Sequence, residues 1–288
     1  MSRDEGRVLG FIGAGPVGRT LATAFARAGQ TVLVAHARLR ATDEGPQALT
    51  WAESPDAIAE RADLTFLTVP DDHIAAVCAN VRWRSGTSVV HCSGATELAA
   101  LATAAGAGAA VGGFHPLQMF ANPAVALEGL AGCTVGIEAE PELAEELDGL
   151  GRLIGLRPLR LPPGVRARYH ASANYVGPFV IALLREASAI WQSFGADEAA
   201  AVAALAPLLR GTLAAAIDRG LAGGMGGCVA RGDLGTVRAH LDAMDALGAD
   251  EGALYRTLAL RTVPLAVERG TLPEARATAI AAMLEPTR

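Results

Sequence analysis

The segment Gly13-Ala14-Gly15-Pro16-Val17-Gly18 constrains this chain more than any other stretch. It follows the apolar run Val8–Ile12 and opens an apolar-periodic helical pattern over Pro16–Ala28. A further apolar run, Thr31–His36, comes about 20 residues after the first glycine, the spacing of a dinucleotide-binding βαβ unit. Each glycine has a task in such a unit. Gly13 permits the tight turn, Gly15 lets backbone approach a pyrophosphate, and Gly18 lets the helix pack on the sheet. The helix N-terminus offers free N–H groups and the positive end of its dipole to phosphates. The bland alternative is an ordinary glycine-rich turn.

The end of the second strand bears on the cofactor. An NAD site places Asp or Glu there for the ribose hydroxyls. This chain reads Ala35-His36-Ala37-Arg38-Leu39-Arg40, with no acid. Arg38 or Arg40 can pair with a 2′-phosphate, so NADP is favoured over NAD; both arginines can equally be solvated loop residues.

With 288 residues, about two domains are expected. The first half alternates short apolar runs with helical patterns, the mark of a doubly wound, mostly parallel sheet. Strands are expected at Val8–Ile12, Thr31–His36, Leu64–Val69, Ser88–His91, Ala109–Gly113, Cys133–Ile137 and Pro158–Leu161. Helices are expected near Pro16–Ala28, Asp71–Asn80, Thr96–Ala104 and Pro141–Leu153. After Leu161-Pro162-Pro163-Gly164 the strand pattern stops. One long helix is expected over Arg166–Phe194, then others at Asp197–Arg219, Asp233–Leu247, Glu251–Arg269 and Pro273–Leu284, with a flexible loop at Gly220–Gly227. The expectation is therefore an α/β Rossmann-type domain, 1–163, followed by an all-α substrate and dimerisation domain, 164–288.

Composition excludes several classes. The chain has no lysine; all 24 basic residues are arginine. Schiff-base catalysis, a phosphate-loop lysine and a lysine general acid are out. A proton donor must be His, Tyr, Cys or a carboxylic acid. The net charge of −6 argues against a nucleic-acid partner. The four cysteines are scattered with no Cys-x-x-Cys pair, which argues against a metal site or a disulfide framework and for a reducing cytoplasm. No unbroken apolar run approaches a membrane span, and the charged N-terminus argues against a secretory signal.

Ligands of doubly wound sheets sit at the carboxyl ends of the strands. Val69-Pro70-Asp71-Asp72 is expected there, with Val69 and Pro70 against the adenosine side. His91-Cys92-Ser93-Gly94 and Gly112-Gly113-Phe114-His115-Pro116 are expected beside it. His91 reads first as a packed strand-end residue. His115 reads equally as an acid/base group or as structure. Tyr169-His170-Ala171-Ser172-Ala173-Asn174 puts His170 and Asn174 one helical turn apart on one face. Asn174 is placed to hold a carbonyl or hydroxyl while His170 handles its proton; two surface residues are the alternative. In Arg231-Gly232-Asp233, Asp233 reads as a helix N-cap. Arg231 reads equally as an anion grip and as half of a salt bridge.

Taken together, these motifs resemble the Rossmann-like NAD(P)-dependent oxidoreductases with a helical C-terminal domain. That group includes 3-hydroxyisobutyrate and 6-phosphogluconate dehydrogenases, ketopantoate reductase, pyrroline-5-carboxylate reductase and deazaflavin-dependent NADP oxidoreductases. The resemblance is strongest to a bacterial subgroup sharing G-A-G-x-V-G, V-P-D, H-x-S-G-A, H-P-L-Q-x-F and A-R-G-D-x-x-T-V-x-x-H. It implies NADP as cofactor and hydride transfer to or from a small, anionic carbonyl, alcohol or imine substrate. It implies His170 and Asn174 where the hydroxyacid enzymes carry lysine and asparagine, with His115 as a second acid/base candidate. His115-Pro116 is similar to a His-Pro of prephenate dehydrogenases. Ser93 and Arg231 are the expected substrate contacts. A homodimer through the helical domain is expected. The rival expectation is an NADP-binding sensor without turnover.

Overall fold

The computed structural model describes residues 7–35 and 49–285. They divide into two compact units, Met1–Gly177 and Pro178–Arg288. The first is an α/β unit around one eight-stranded sheet. Its strands are β1 (Val8–Ile12), β2 (Thr31–Ala35), β3 (Thr50–Trp51), β4 (Leu64–Leu67), β5 (Ser88–His91), β6 (Ala110–Pro116), β7 (Thr134–Ala139) and β8 (Arg157–Arg160). Their order is β3-β2-β1-β4-β5-β6-β7-β8, the Rossmann-type arrangement extended at one edge. All neighbours pair parallel except β7, which runs antiparallel to β6.

Strand alternation sends side chains to two cores. Leu9, Phe11, Val34, Phe66, Val90 and Phe114 face α1 (Pro16–Arg27) and α6 (Pro141–Leu153). Phe11 and Phe66 stack at 4.8 Å, and Phe114 meets Phe66 edge-on at 5.5 Å. Ile12, Leu33, Leu67 and Val89 face α2 (Pro55–Arg61), α3 (Ile74–Ala79) and α4 (Ala102–Gly106) on the other side. Burial on both faces explains why these strands read as continuous apolar runs.

The stretch before Leu64 holds β3 and α2, which periodicity did not reveal. Two residues are too few for a pattern, but Ser54-Pro55 was a legible helix start. The Ser54 hydroxyl accepts from Ala57 N at 3.2 Å, and Pro55 occupies the first helical turn. A short α5 (Pro123–Glu128) was likewise unexpected.

The single long helix expected over Arg166–Phe194 is two helices. Arg166–Val176 (α7) closes the first unit, and Pro178–Gln192 (α8) opens the second. Pro178 supplies no N–H and disfavours helical geometry at Gly177, which sits at φ −107°, ψ −100°. The contact boundary thus falls after residue 177 rather than at 163. The reason is that α7 packs on the sheet through Arg166 and Tyr169.

The second unit continues with α9 (Glu198–Gly224), α10 (Gly227–Arg231), α11 (Leu234–Leu247), α12 (Ala249–Glu268) and α13 (Glu274–Leu284). Its core is Val229, Val237, Leu241, Val263, Ile280 and Leu284, all from α10 to α13. The loop expected over Gly220–Gly227 is largely helical: the chain breaks at Gly220 (φ 74°, ψ 170°), resumes for a turn, and forms α10. Although its apolar run is interrupted by charges, α9 is long and apolar enough to cross a membrane by length and composition.

Candidate active site

The fingerprint forms as its glycines require. Gly13 has φ +115°, and a Cβ there would lie 2.7 Å from the Thr68 carbonyl oxygen. A Cβ on Gly18 would lie 2.0 Å from the Gly13 carbonyl oxygen, so only glycine lets α1 approach the strand. Around Gly15 the space within 4 Å is open, as a loop that receives a ligand needs. The loop is braced from behind: Thr68 Oγ1 donates to Gly13 O at 2.6 Å and Arg19 Nε to Ala14 O at 2.9 Å. Gly15 is the N-cap of α1 and Pro16 its first residue, so the next N–H groups, on Val17 and Gly18, have no partner within the helix. Ala14 is buried beneath them. A cleft of about 270 Å³ opens alongside, lined by Ile12, Gly13, Pro55, Val69 and Val77. Pro70 stands exposed at its neighbouring corner. The residues present fit a dinucleotide pyrophosphate. Arg38 and Arg40 lie outside the described residues. A larger cleft, about 1170 Å³, lies in the helical unit around Arg256 and Pro264 and holds none of the candidate residues.

The second cluster lies at the same edge of the sheet, three strand positions away, or about 14 Å at roughly 4.8 Å per strand. It is built where α7 crosses β5, β6 and β7. Register places Gly113 beside His91 on one side and Glu138 on the other, and His115 opposite Gly136. Residues 113 and 115 share a face, so the polar side chains and the bare glycines form one surface. Helix α7 lays three side chains onto it. The Arg166 guanidinium occupies the space a Gly113 Cβ would need, 2.4 Å from it. Tyr169 rests on Gly136, and His170 on Gly94. Positions 166, 169 and 170 fall on one helix face, which accounts for the spacing.

Distances show a connected arrangement. Arg166 is fully buried; Nη1 donates to Glu138 Oε2 at 3.2 Å, and Nη2 donates a short bond to the Ser93 carbonyl. The Tyr169 hydroxyl stands 3.1 Å from His115 Nδ1. The His115 and His170 rings meet edge-to-face at 5.5 Å. Gly94 is wedged against both: a Cβ there would come within 2.3 Å of His170 Cδ2 and 2.9 Å of His115 Nε2. Burial drives the His115 pKa down to about 4, with His170 and Arg166 adding positive charge nearby. His91 is fully buried with both ring nitrogens unpartnered; burial, then Arg166 and His115, bring its pKa to about 3. Burial raises the neighbouring Cys92 thiol far above its ordinary range, which removes it as a nucleophile.

The remaining expected residues sort clearly. Ser93 is buried, with Oγ at 2.7 Å from Asp71 Oδ2 and 2.8 Å from Thr96 Oγ1, and it accepts from Thr96 N at 3.0 Å. Its hydroxyl is committed to the turn. Asn174 is half-buried, one turn beyond His170 on α7. Arg231 is exposed at the end of α10 in the helical unit. Asp233 caps α11, accepting from Thr236 N at 3.0 Å and Thr236 Oγ1 at 2.6 Å. Arg166 and Glu138 were not foreseen, and Tyr169 and Gly94 stood in the quoted segments without a role of their own. The signals were an acid closing the apolar run Cys133–Ile137 and glycines in adjoining strands, which mark close approach.

Comparison with known families agrees with this architecture. Residues 3–116 match the Rossmann-like domain, and residues 133–262 match the domain of unknown function DUF2520. Comparison with curated proteins finds no match. Among solved structures, a Thermotoga maritima protein is similar at TM-score 0.73 and 19% identity, over 90% of this chain and 98% of that one. Plasmodium falciparum pyrroline carboxylate reductase with NADP bound is similar at TM-score 0.62 and 14% identity, over 98% and 99%. Aspergillus terreus reductive aminase in complex with NADPH and ethyl-5-oxohexanoate is similar at TM-score 0.61 and 16% identity, over 97% and 92%. At these identities the likeness is one of fold.

Proposed function

We propose that this protein is an NADP-dependent oxidoreductase acting on a small carbonyl, alcohol or imine compound that carries a negative charge. One observation carries the reading: a glycine loop fit for a pyrophosphate and a half-buried pair of imidazoles share the carboxyl edge of one sheet. The NADP and NADPH bound to proteins of this fold support the same cofactor here. When bound, the reduced cofactor supplies a hydride. The chain's own part is to hold the pyrophosphate on Gly13, Ala14, Gly15, Pro16, Val17 and Gly18, with Val69 and Pro70 beside the adenosine. His170 and His115 flank the reacting carbon and manage the proton on its oxygen or nitrogen. Asn174 anchors that polar atom, the Ser93 turn holds Gly94 against the imidazoles, and Arg231 grips the substrate's anionic group. Arg38 and Arg40 favour NADP over NAD.

The test is direct. The chain binds NADPH more tightly than NADH, and a panel of imines, keto acids and aldehydes includes one that consumes nicotinamide absorbance. His170→Ala then costs at least about two decades of kcat with NADPH affinity retained. Tight binding with no oxidation across the panel returns the sensor reading.

The same reading includes a homodimer through the helical unit. Large apolar side chains of α8 and α9, among them Phe179, Ile181, Leu208, Leu213, Ile217 and Leu221, are exposed. A second copy of the chain is the proposed cover, in place of a membrane. Light scattering that gives a dimer mass in detergent-free buffer supports it. A monomer, or recovery only with detergent, overturns it.

A further inference from the structure

The proposed reaction has two imidazoles and needs one proton. Their surroundings differ. His115 is enclosed by charged and titratable groups from three elements: Arg166, Tyr169 and His170 of α7, His91 of β5, and Glu138 of β7, which pairs with Arg166. The Asp71 carboxylate accepts from the neighbouring Ser93 hydroxyl. His170 is half-buried, and its described contacts are the edge of His115 and Gly94.

We propose that Tyr169 and Arg166 are positioning residues that hold His115 as a neutral imidazole presenting Nε2–H, which leaves His170 as the group that moves the proton. The inference rests on the oxidoreductase reading and assigns roles within its site. Its first support is the tyrosine. The Tyr169 oxygen lies 3.1 Å from His115 Nδ1 but 3.5 Å from the His115 carbonyl oxygen. We take the shorter contact as the one that receives its single proton, with Nδ1 as the acceptor. A neutral ring that accepts at Nδ1 must carry its own proton on Nε2. That nitrogen lies at the edge facing Gly94, whose lack of a side chain lets the His115 and His170 rings pack close against the backbone.

The second support is charge. Arg166 cannot lose its proton, is wholly buried, and is locked at both ends by Glu138 and the Ser93 carbonyl. Burial of the His115 ring, and then the positive charge of Arg166 near it, disfavour a charge on that ring. The enclosed His91 responds in the same direction, and its two unpartnered nitrogens mark it as uncharged too. A neutral Nε2–H orients a carbonyl oxygen or imine nitrogen by hydrogen bonding without giving up its proton. His170 alone of the pair is then free to cycle.

Nitrogen-15 spectra of the histidine-labelled full chain test this without any substrate, each ring being assigned from its own His→Gln variant. The expected result is an Nε2–H tautomer for His115, unchanged from pH 8 to pH 5. Tyr169→Phe should mix the two tautomers. The paired variant Arg166→Met with Glu138→Leu should raise the His115 midpoint. An Nδ1–H tautomer, or charging near the ordinary value of about 6.5, overturns the assignment. Turnover adds a separate arm. His170→Gln should lower kcat and abolish the pH dependence, whereas His115→Gln should raise KM and leave that dependence in place; the reverse pattern sinks the proposal. If no substrate is turned over, the oxidoreductase reading fails while the tautomer result still decides the positioning claim.

Discussion

The two compact units hide and display opposite things. The α/β unit buries polarity: His91 and Arg166 are both 0% exposed, and Glu138 is buried beside them. The helical unit displays apolarity: Ile217 is 77% exposed, Leu221 73% and Leu208 68%. Each is costly for an isolated, purely structural domain. Burying a charge needs a partner and gains little over an apolar core. Exposing a continuous apolar face wastes burial and invites association. The first anomaly therefore points inward, to chemistry, and the second outward, to another surface.

The largest effect should come from breaking the buried charge on one side only. Arg166→Met strands the Glu138 carboxylate in the core and should cost about 3–5 kcal/mol of unfolding free energy. Adding Glu138→Leu should return much of it, so the double variant should be more stable than the single one. Urea denaturation of the two checks this. A single variant that unfolds like the wild type would mean that the ion pair is not enclosed as described.

On the helical side, Leu213→Asp with Ile217→Asp should weaken the proposed association of two copies by about 100-fold or more, as loss of central apolar contacts does in protein interfaces. Sedimentation across a concentration series reads the change. The core of α10 to α13 does not include either residue, so far-ultraviolet circular dichroism should hardly alter. An unchanged mass would place the contact elsewhere.

The contrast also explains what could be read in advance. The glycine fingerprint was legible because each glycine answers a local backbone demand, at Gly13 through a positive φ. The apolar strands were legible because both faces of the sheet are covered. The polar cluster was only half legible. His115 and His170 stood out by residue type, but Arg166, Tyr169 and Glu138 meet through long-range register, and nothing within a short window of sequence pairs residue 138 with residue 166. The single helix expected across residues 166–194 failed for the opposite reason. Helix-compatible sequence runs on both sides of Gly177-Pro178, and the break is marked only by that pair, the two poorest helix formers, with proline also disfavouring helical geometry at the residue before it.

Acid should act on the α/β unit through its histidines. The folded His91 pKa, about 3, lies below the unfolded value of about 6.5, and that of His115, about 4, is shifted the same way. Between those values the unfolded chain holds more protons than the folded one, so stability is full above pH 6.5 and falls as pH drops toward 4. His91 alone contributes a slope of up to about 1.4 kcal/mol per pH unit. In urea titrations at pH 7, 6 and 5, His91→Leu should flatten the slope by that amount. Parallel curves for variant and wild type would show that His91 is charged in the fold.

The smallest effect separates two neighbours in one motif. Arg231-Gly232-Asp233 reads as a unit in the sequence, yet the structure divides its labour. Gly232 has φ +65° and a Cβ there would crowd Leu272, so it serves the turn between α10 and α11. Asp233 is spent on the cap, holding both the Thr236 amide and its hydroxyl. Arg231 is exposed and ends α10 without a structural duty of that kind. Asp233→Ala should therefore lower Tm by a few degrees and leave KM for the proposed anionic substrate alone. Arg231→Gln should do the reverse, raising KM with Tm unchanged. If both changes fell on Tm, the whole motif would be a hinge for α11, and the anion grip would have to be sought among other arginines.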